Sequence, residues 1–304
     1  MKSICVFGVF VADLCFVADA IPEKGQTILG YKHIVGPGGK GSNQAITAAR
    51  LGGKVNFITK IGNDQNANMA LKLYKEAGIN TDSIIQDENQ LTGVAGIMIN
   101  EKTGDNAINI VPGAAGSLNN KDIDKNISFI ENSEIFLTQL ETPYEVTSYA
   151  LNKAKESGST TIFNPAPASN INESDFKCMD YFTPNETEAS FYLKKNVHSK
   201  TEIEEAAKNF LNKGVKNIII TLGSKGVYFA NSSESYFLDA FNLKDKVIDT
   251  TGAGDAFNGA FAYALSKNHK DKDALEFANK VAGISTTRVG AANSMPKLKE
   301  VEDY

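Results

Sequence analysis

Short apolar runs recur along the chain, separated by stretches whose apolar residues return every third or fourth position. The runs at 4–11, 55–61, 135–140, 160–163 and 218–222 predict buried strands. The stretches at 66–77, 143–157 and 200–213 predict helices, with Gly78, Gly158 and Gly214 standing where helix C-caps belong. Strand and helix alternating in this way predict an α/β fold. Its expected form is a doubly wound, mostly parallel sheet flanked by helices. No repeat, low-complexity tract or linker interrupts the pattern, so one domain over 1–304 is expected.

Two segments break the rhythm. Residues 27–35 and 93–111 look extended, with Gly-rich turns and no helical period. They predict a small accessory sheet, a β lid over the strand ends, inserted near 12–36 and 91–111. Gly36-Pro37-Gly38-Gly39 then leads into a helix from about 42 to 51.

Lys2 is the only charged residue before the first apolar run and Asp13 follows it closely, which favours a buried first strand over a signal peptide. No run of 18 apolar residues exists, so no membrane span is expected. The 31 Lys and Arg against 36 Asp and Glu give a net charge of -5 without a basic block, which argues against nucleic acid as a partner. An anionic ligand would have to be held locally, by backbone amides and a metal. Cys5, Cys15 and Cys178 show no CxxC spacing, which fits a reducing, cytoplasmic setting.

The segment richest in chemistry is Asp249-Thr250-Thr251-Gly252-Ala253-Gly254-Asp255-Ala256-Phe257, followed by an apolar helix. Small residues at 252–254 let successive N–H groups point at one spot, at a helix N-terminus that favours anions. Asp255 would stand in the first turn beside a bound phosphate. Phosphoryl transfer to an alcohol needs that pairing, amides for developing charge and a base for the hydroxyl proton. An ordinary N-cap with a Gly-rich turn is the bland alternative. Gly38-Gly39-Lys40-Gly41-Ser42-Asn43-Gln44-Ala45 is neither a Walker A loop nor GxGxxG. It allows close approach of a ligand, and Asn43 offers donors and acceptors to sugar hydroxyls. Thr183-Pro184-Asn185-Glu186-Thr187-Glu188 opens a helix, where the carboxylates either order waters around Mg²⁺ or favour the helix dipole. Thr221-Leu222-Gly223-Ser224-Lys225-Gly226 is a hairpin turn or a loop against a nucleotide. His33, His198 and His269 lack ligand spacing and should be solvated, and Phe241 and Phe257 read as core.

Together and in this order the segments resemble the ribokinase-type carbohydrate kinases, the family named after the minor phosphofructokinase. The resemblance runs from Ile4 to Pro296, with Gly38 to Ala45 and Asp249 to Phe257 as its signatures and Asn164-Pro165-Ala166-Pro167-Ala168 in support. It is strongest to the ribose-phosphorylating branch. It implies a kinase that transfers the γ-phosphoryl group of ATP to the 5-hydroxyl of D-ribose. Asp255 would be the base, and Gly252, Ala253 and Gly254 would form an anion hole. Asp13, Gly39, Lys40, Gly41, Asn43 and Glu141 would line the sugar site beside Val11, with Lys40 either contacting sugar or only bracing its loop. Asn185, Thr221, Gly223, Ser224, Gly226, Gly254 and Asn279 would line the nucleotide site, and Glu188 would support Mg²⁺ indirectly. K⁺ would lie among Asp249, Thr251, Ser285, Arg288, Gly290 and Ser294, Arg288 contributing its carbonyl. A homodimer formed through the lid is also implied.

One position departs from that pattern. The ribose-phosphorylating members usually carry Asn where Val11 stands, two residues before Asp13. A kinase for 2-deoxyribose, another sugar or a nucleoside is therefore a second reading. A non-catalytic sugar- or nucleotide-binding regulator is a third, disfavoured because a pure binder has no need of Asp255.

Overall fold

The computed structural model describes residues 2–243 and 246–304. Its strands are β1 (Ser3–Phe7), β2 (Val11–Ala18), β3 (Lys32–Gly38), β4 (Lys54–Gly62), β5 (Ile84–Asp87), β6 (Thr92–Asn100), β7 (Asn106–Gly113), β8 (Ile135–Thr138), β9 (Thr160–Phe163), β10 (Tyr181–Phe182), β11 (Asn217–Thr221), β12 (Val227–Ala230) and β13 (Ser235–Leu238). Its helices are α1 (Lys40–Arg50), α2 (Gln65–Ala77), α3 (Asn120–Lys125), α4 (Ile127–Glu131), α5 (Tyr144–Glu156), α6 (Glu186–Leu193), α7 (Lys200–Asn212), α8 (Ala253–Ser266), α9 (Asp271–Ser285) and α10 (Leu298–Asp303).

Among the described residues the main sheet runs β13-β12-β11-β10-β9-β8-β1-β4-β5. All neighbours pair in parallel except β11 with β12 and β12 with β13. The mostly parallel, doubly wound sheet expected from the apolar rhythm is the observed architecture. Strand β1 shows why its run is continuously apolar. Ile4 and Val6 join the core beneath α1, α2, α8 and α9. Cys5 and Phe7 join the opposite core, with Phe136, Leu151, Phe163 and Phe210. A strand buried on both faces has no polar side to show.

A second sheet, ordered β3-β2-β6-β7, stands apart from the first. It forms where the rhythm broke, but from different pieces. The run 4–11 is not one strand: β1 ends at Phe7, and after Gly8 to Phe10 the chain changes sheets at Val11. Residues 27–31 lie outside any strand, and β3 instead covers 32–38. The segment 93–111 is two antiparallel strands, β6 and β7, folded back on each other.

Candidate active site

From β1 the chain builds the sheet one way, through β4 and β5, and from β8 the other way. The crevice beyond the carboxyl ends of β1 and β8 is thus the topological switch point, where α/β sheets bind ligands. Two helices deliver side chains to it. A Cβ on Gly259 of α8 would stand 2.5 Å from the Gln44 carbonyl oxygen, so only glycine lets α1 and α8 approach this closely. That contact brings Asn43 and Gln44 of α1 against Asp255 in the first turn of α8.

Asp255 is 6% exposed. Asn43 Nδ2 donates to its Oδ2 at 2.9 Å, and Gln44 Nε2 donates to its Oδ1 at 3.0 Å. The Asn43 side-chain oxygen and the Gln139 Oε1 are buried without a partner, a signal of unfilled donor demand in the crevice. Asp13 reaches the same place from β2. Its carboxylate occupies the space over Gly38, where an added Cβ would lie 2.2 Å from Oδ1. The motif's Gly38 therefore makes room for Asp13, its antiparallel neighbour's companion on the small sheet. Val11, two residues back on the same face, is buried and pairs with Gly38 and Gly93.

Charge is concentrated here. Burial, then the nearby Asp255 charge, pushes the Asp13 carboxyl up to about 6. Burial pushes Glu141 up to about 7 against the pull of Lys40. The Lys40 backbone N–H donates to Glu141 Oε2 at 2.7 Å, tying the start of α1 to the loop after β8. The Lys40 ammonium is held above its ordinary range, first by Asp255 and then, against burial, by Glu141 and Glu188. So Lys40 both braces its loop and serves as counter-charge to the acid cluster. Gly39, the helix N-cap at φ 88, and Gly41 complete the turn.

Gly252 is the N-cap of helix α8, and its φ of 77 favours glycine. The first N–H groups of a helix have no intrahelical acceptor, so the amides of Gly252 and Gly254 can face an anion, whereas the expected third member, Ala253, already donates its N–H to the Thr250 carbonyl at 3.2 Å across the turn. Ala253 and Gly254 line a cleft of about 340 Å³ with Thr221, Gly223, Ser224 and Gly226 on one wall and Asn279 on another. The 221–226 segment is the hairpin turn between β11 and β12, and it also forms a wall of this cleft. Phe241 lines the cleft rather than the core, while Phe257 is in the core and also reaches the cleft wall. His33, His198 and His269 are exposed, as expected.

Asn185 is not in that lining. It caps α6, its side chain accepting from Glu188 N–H at 2.8 Å while Glu188 Oε2 accepts from Asn185 N–H at 2.8 Å. This reciprocal box satisfies the dipole reading of Glu188. Burial nonetheless raises the Glu188 carboxyl, against the opposing pull of the Asn185 N–H and of Lys40. Asp249 binds two loops together, Oδ1 accepting from Thr251 N–H at 2.9 Å and Oδ2 from Gly290 N–H at 2.8 Å. Burial opposes its charge, but these bonds hold it below the usual carboxylate range. The Arg288 side chain turns away to Glu300 at 2.6 Å, leaving its backbone toward Ser285. Ser294 donates its hydroxyl to Ala291, so its oxygen lone pairs stay available.

The pfkB family carbohydrate kinase model matches residues 1–298. The chain belongs to the pfkB family of carbohydrate kinases. It is 35% identical to a ribokinase of Haemophilus influenzae, covering 100% of this chain and 98% of that one. It is 33% identical to a deoxyribokinase of Salmonella typhi, over 99% and 98% of the two chains. Its backbone matches a structure of Arabidopsis thaliana ribokinase complexed with ribose and ATP at TM-score 0.93, with 29% identity over 99% and 98% of the chains.

For a pfkB kinase the two signature motifs therefore lie on neighbouring helix starts in one crevice. Sequence reading missed Gln139 and Asn164 as site residues and passed over Gln44 inside its own motif. Gln44 Nε2 bonds Asn164 Oδ1 at 3.1 Å, and Gln139 Nε2 bonds Gln44 Oε1 at 2.6 Å. Asn164 and Gln44 stood inside segments that carried the resemblance without being given a role, whereas Gln139 offered only its polarity at the end of an apolar strand.

Proposed function

We propose that this pfkB kinase transfers the γ-phosphoryl group of ATP to the 5-hydroxyl of D-ribose. The observation that carries the reading is one helix start. Ala253 and Gly254 line a nucleotide-sized cleft, and the next residue, Asp255, is a buried carboxylate held in the switch-point crevice. The likeness to a ribokinase that binds ribose and ATP supports the choice of both substrates.

On this reading Asp13, Gly39, Lys40, Gly41, Asn43 and Glu141 hold the sugar, the unpartnered Asn43 oxygen accepting from a sugar hydroxyl. ATP lies along Thr221, Gly223, Ser224, Gly226 and Asn279, with Asn185 beside Thr221. Asp255 accepts the 5-hydroxyl proton as the sugar oxygen bonds to the γ-phosphorus. The bond from that phosphorus to the bridging oxygen breaks and ADP leaves. The amides of Gly252 and Gly254 would face the charge that develops on the transferred group, and that of Ala253 would be shared with the Thr250 carbonyl.

Two ions fit the residues present. Glu188, a buried carboxylate at the start of α6, would orient the water shell of Mg²⁺, which would screen the phosphates. Asp249, held ionised, with Thr251, Ser285, Gly290, Ser294 and the Arg288 carbonyl, would hold K⁺ and order the neighbouring anion hole. The small sheet would act as a lid over the sugar and as the contact with a second subunit. A cytoplasmic location accompanies this reading.

Val11 favours a second reading. An apolar side chain beside Asp13 suits a sugar lacking one hydroxyl, and one relative is a deoxyribokinase. ADP release measured across pentoses, 2-deoxyribose, hexoses and nucleosides tests both. The highest kcat/KM with ribose supports the first reading. A preference for 2-deoxyribose supports the second, and no sugar-dependent release rejects both.

A further inference from the structure

Three buried amides form a chain of fixed polarity that branches at Gln44, one branch ending on Asp255 and the other on the Thr183 carbonyl. Gln44 is 0% exposed, Gln139 1% and Asn164 7%. Gln139 Nε2 donates to Gln44 Oε1 at 2.6 Å. Gln44 Nε2 then donates both its hydrogens, to Asp255 Oδ1 at 3.0 Å and to Asn164 Oδ1 at 3.1 Å. Asn164 Nδ2 in turn donates to the Thr183 carbonyl at 3.1 Å. An amide can face either way, and its neighbours decide. Turned over, Gln44 would set its oxygen against two acceptors and its nitrogen against the Gln139 donor.

We propose that Gln44, oriented by Gln139, is a positioning residue for Asp255 in the kinase reaction proposed above. Asn43 fixes one carboxylate oxygen and Gln44 the other, so both the plane and the place of the carboxylate are set. The remaining lone pairs point where a substrate hydroxyl would bind. The need for neutral donors follows from the surroundings. Asp13 from β2, Glu141 from the loop after β8 and Glu188 from α6 all act on Asp255 as like charges, and Lys40 of α1 is the cation that faces them. Amide donors favour the ionised, proton-accepting form without adding another charge. Gln139 never touches Asp255, yet it selects which end of Gln44 does.

The sharpest probe is Gln139→Glu. A carboxylate at 139 only accepts, so Gln44 turns its NH₂ toward it and presents oxygen to Asp255. Gln44→Met removes the donor outright, and Gln139→Met removes the orienting donor with little change in volume. A hydrogen bond to a charged group is worth about 1.5–3 kcal/mol, so kcat should fall about tenfold to a hundredfold for Gln139→Glu and Gln44→Met. KM for sugar and ATP should stay within about threefold, because ground-state contacts remain. The acid limb of the kcat profile should move to higher pH, shrinking the deficit in alkaline buffer. Gln139→Met should fall between these and wild type.

Carboxyl-carbon NMR of Asp255, assigned by its loss in Asp255→Asn, reads the same effect without turnover. Its titration should move to higher pH in the full-length variants. That readout stands even if wild type phosphorylates no sugar, so failure of the kinase reading and failure of this proposal are distinct results. Unchanged kcat and an unchanged Asp255 titration in Gln139→Glu and Gln139→Met would overturn it. So would a loss confined to melting temperature, which marks a packing role alone.

Discussion

Asn43 and Asp255, 212 positions apart in sequence, meet in a buried hydrogen bond of 2.9 Å. One residue belongs to each of the chain's signature motifs. Their contact turns two separate Gly-rich helix starts into a single crevice, with Gly259 setting how closely the helices run.

The acid cluster has a cost in stability that depends on pH. Asp13 is pushed from an ordinary 3.8 to about 6, and Glu141 from 4.5 to about 7. Between those values the folded state holds protons that the unfolded chain has released. Stability therefore falls as pH rises through the window from about 4 to about 7. Asp13→Asn and Glu141→Gln should each raise Tm by about 2 °C or more near pH 8 and by much less near pH 4, where the wild-type groups are already neutral. Thermal melts at both pH values check this. Equal shifts at the two would show that the charges are not the cause.

The exposed faces of the small sheet predict a dimer. Phe16 is 44% exposed, Val35 50% and Val111 53%, all on the face opposite Asp13. Strands β3 and β7 are edges of that sheet. Unpaired edges beside exposed apolar side chains are normally covered. Light scattering after size exclusion should give twice the 32.8 kDa chain mass. A monomeric mass at micromolar concentration would reject the lid contact.

Asp249 predicts a response to K⁺. Replacing Na⁺ or a bulky organic cation by K⁺ at constant ionic strength should raise kcat, since an ordered anion hole meets developing charge with less reorganisation. A flat response over the millimolar range would remove K⁺ from the account.

Much of this was legible in the sequence, for a physical reason. Strands buried on both faces must be continuously apolar, so 55–61, 160–163 and 218–222 announced β4, β9 and β11 within a residue or two. The same rule misled at 4–11. Residues 8–11 are buried too, so nothing in the pattern marks where the chain leaves one sheet for the other. Helices α3, α4, α9 and α10 and strands β5, β10 and β13 were not read, and β12 only as the second arm of the hairpin alternative at 221–226. Asp255 was visible because glycines precede it. Gln139 and Asn164 were not, because each matters only through a partner 95 or 120 positions away.

Val11 predicts relaxed discrimination. A site built to pair a hydroxyl rejects the analogue lacking it because its own polar group is left unpaired, at about 1–3 kcal/mol. Val11 has no such group to strand. Val11→Asn should raise the ribose to 2-deoxyribose ratio of kcat/KM by about tenfold, a factor worth 1.4 kcal/mol. An unchanged ratio would show that Val11 does not set specificity.

The central claim is that Asp255 takes the proton from the sugar hydroxyl. It is tested most directly by kcat for ribose phosphorylation in Asp255→Asn, with folding and ATP affinity measured alongside. The side chain keeps its size, and its amide oxygen can still accept one of the two amide bonds it receives. A positioned base is worth about 10²–10⁴-fold, so kcat should fall by at least about a hundredfold while the fold and ATP binding persist. Turnover near that of the wild type would contradict the account.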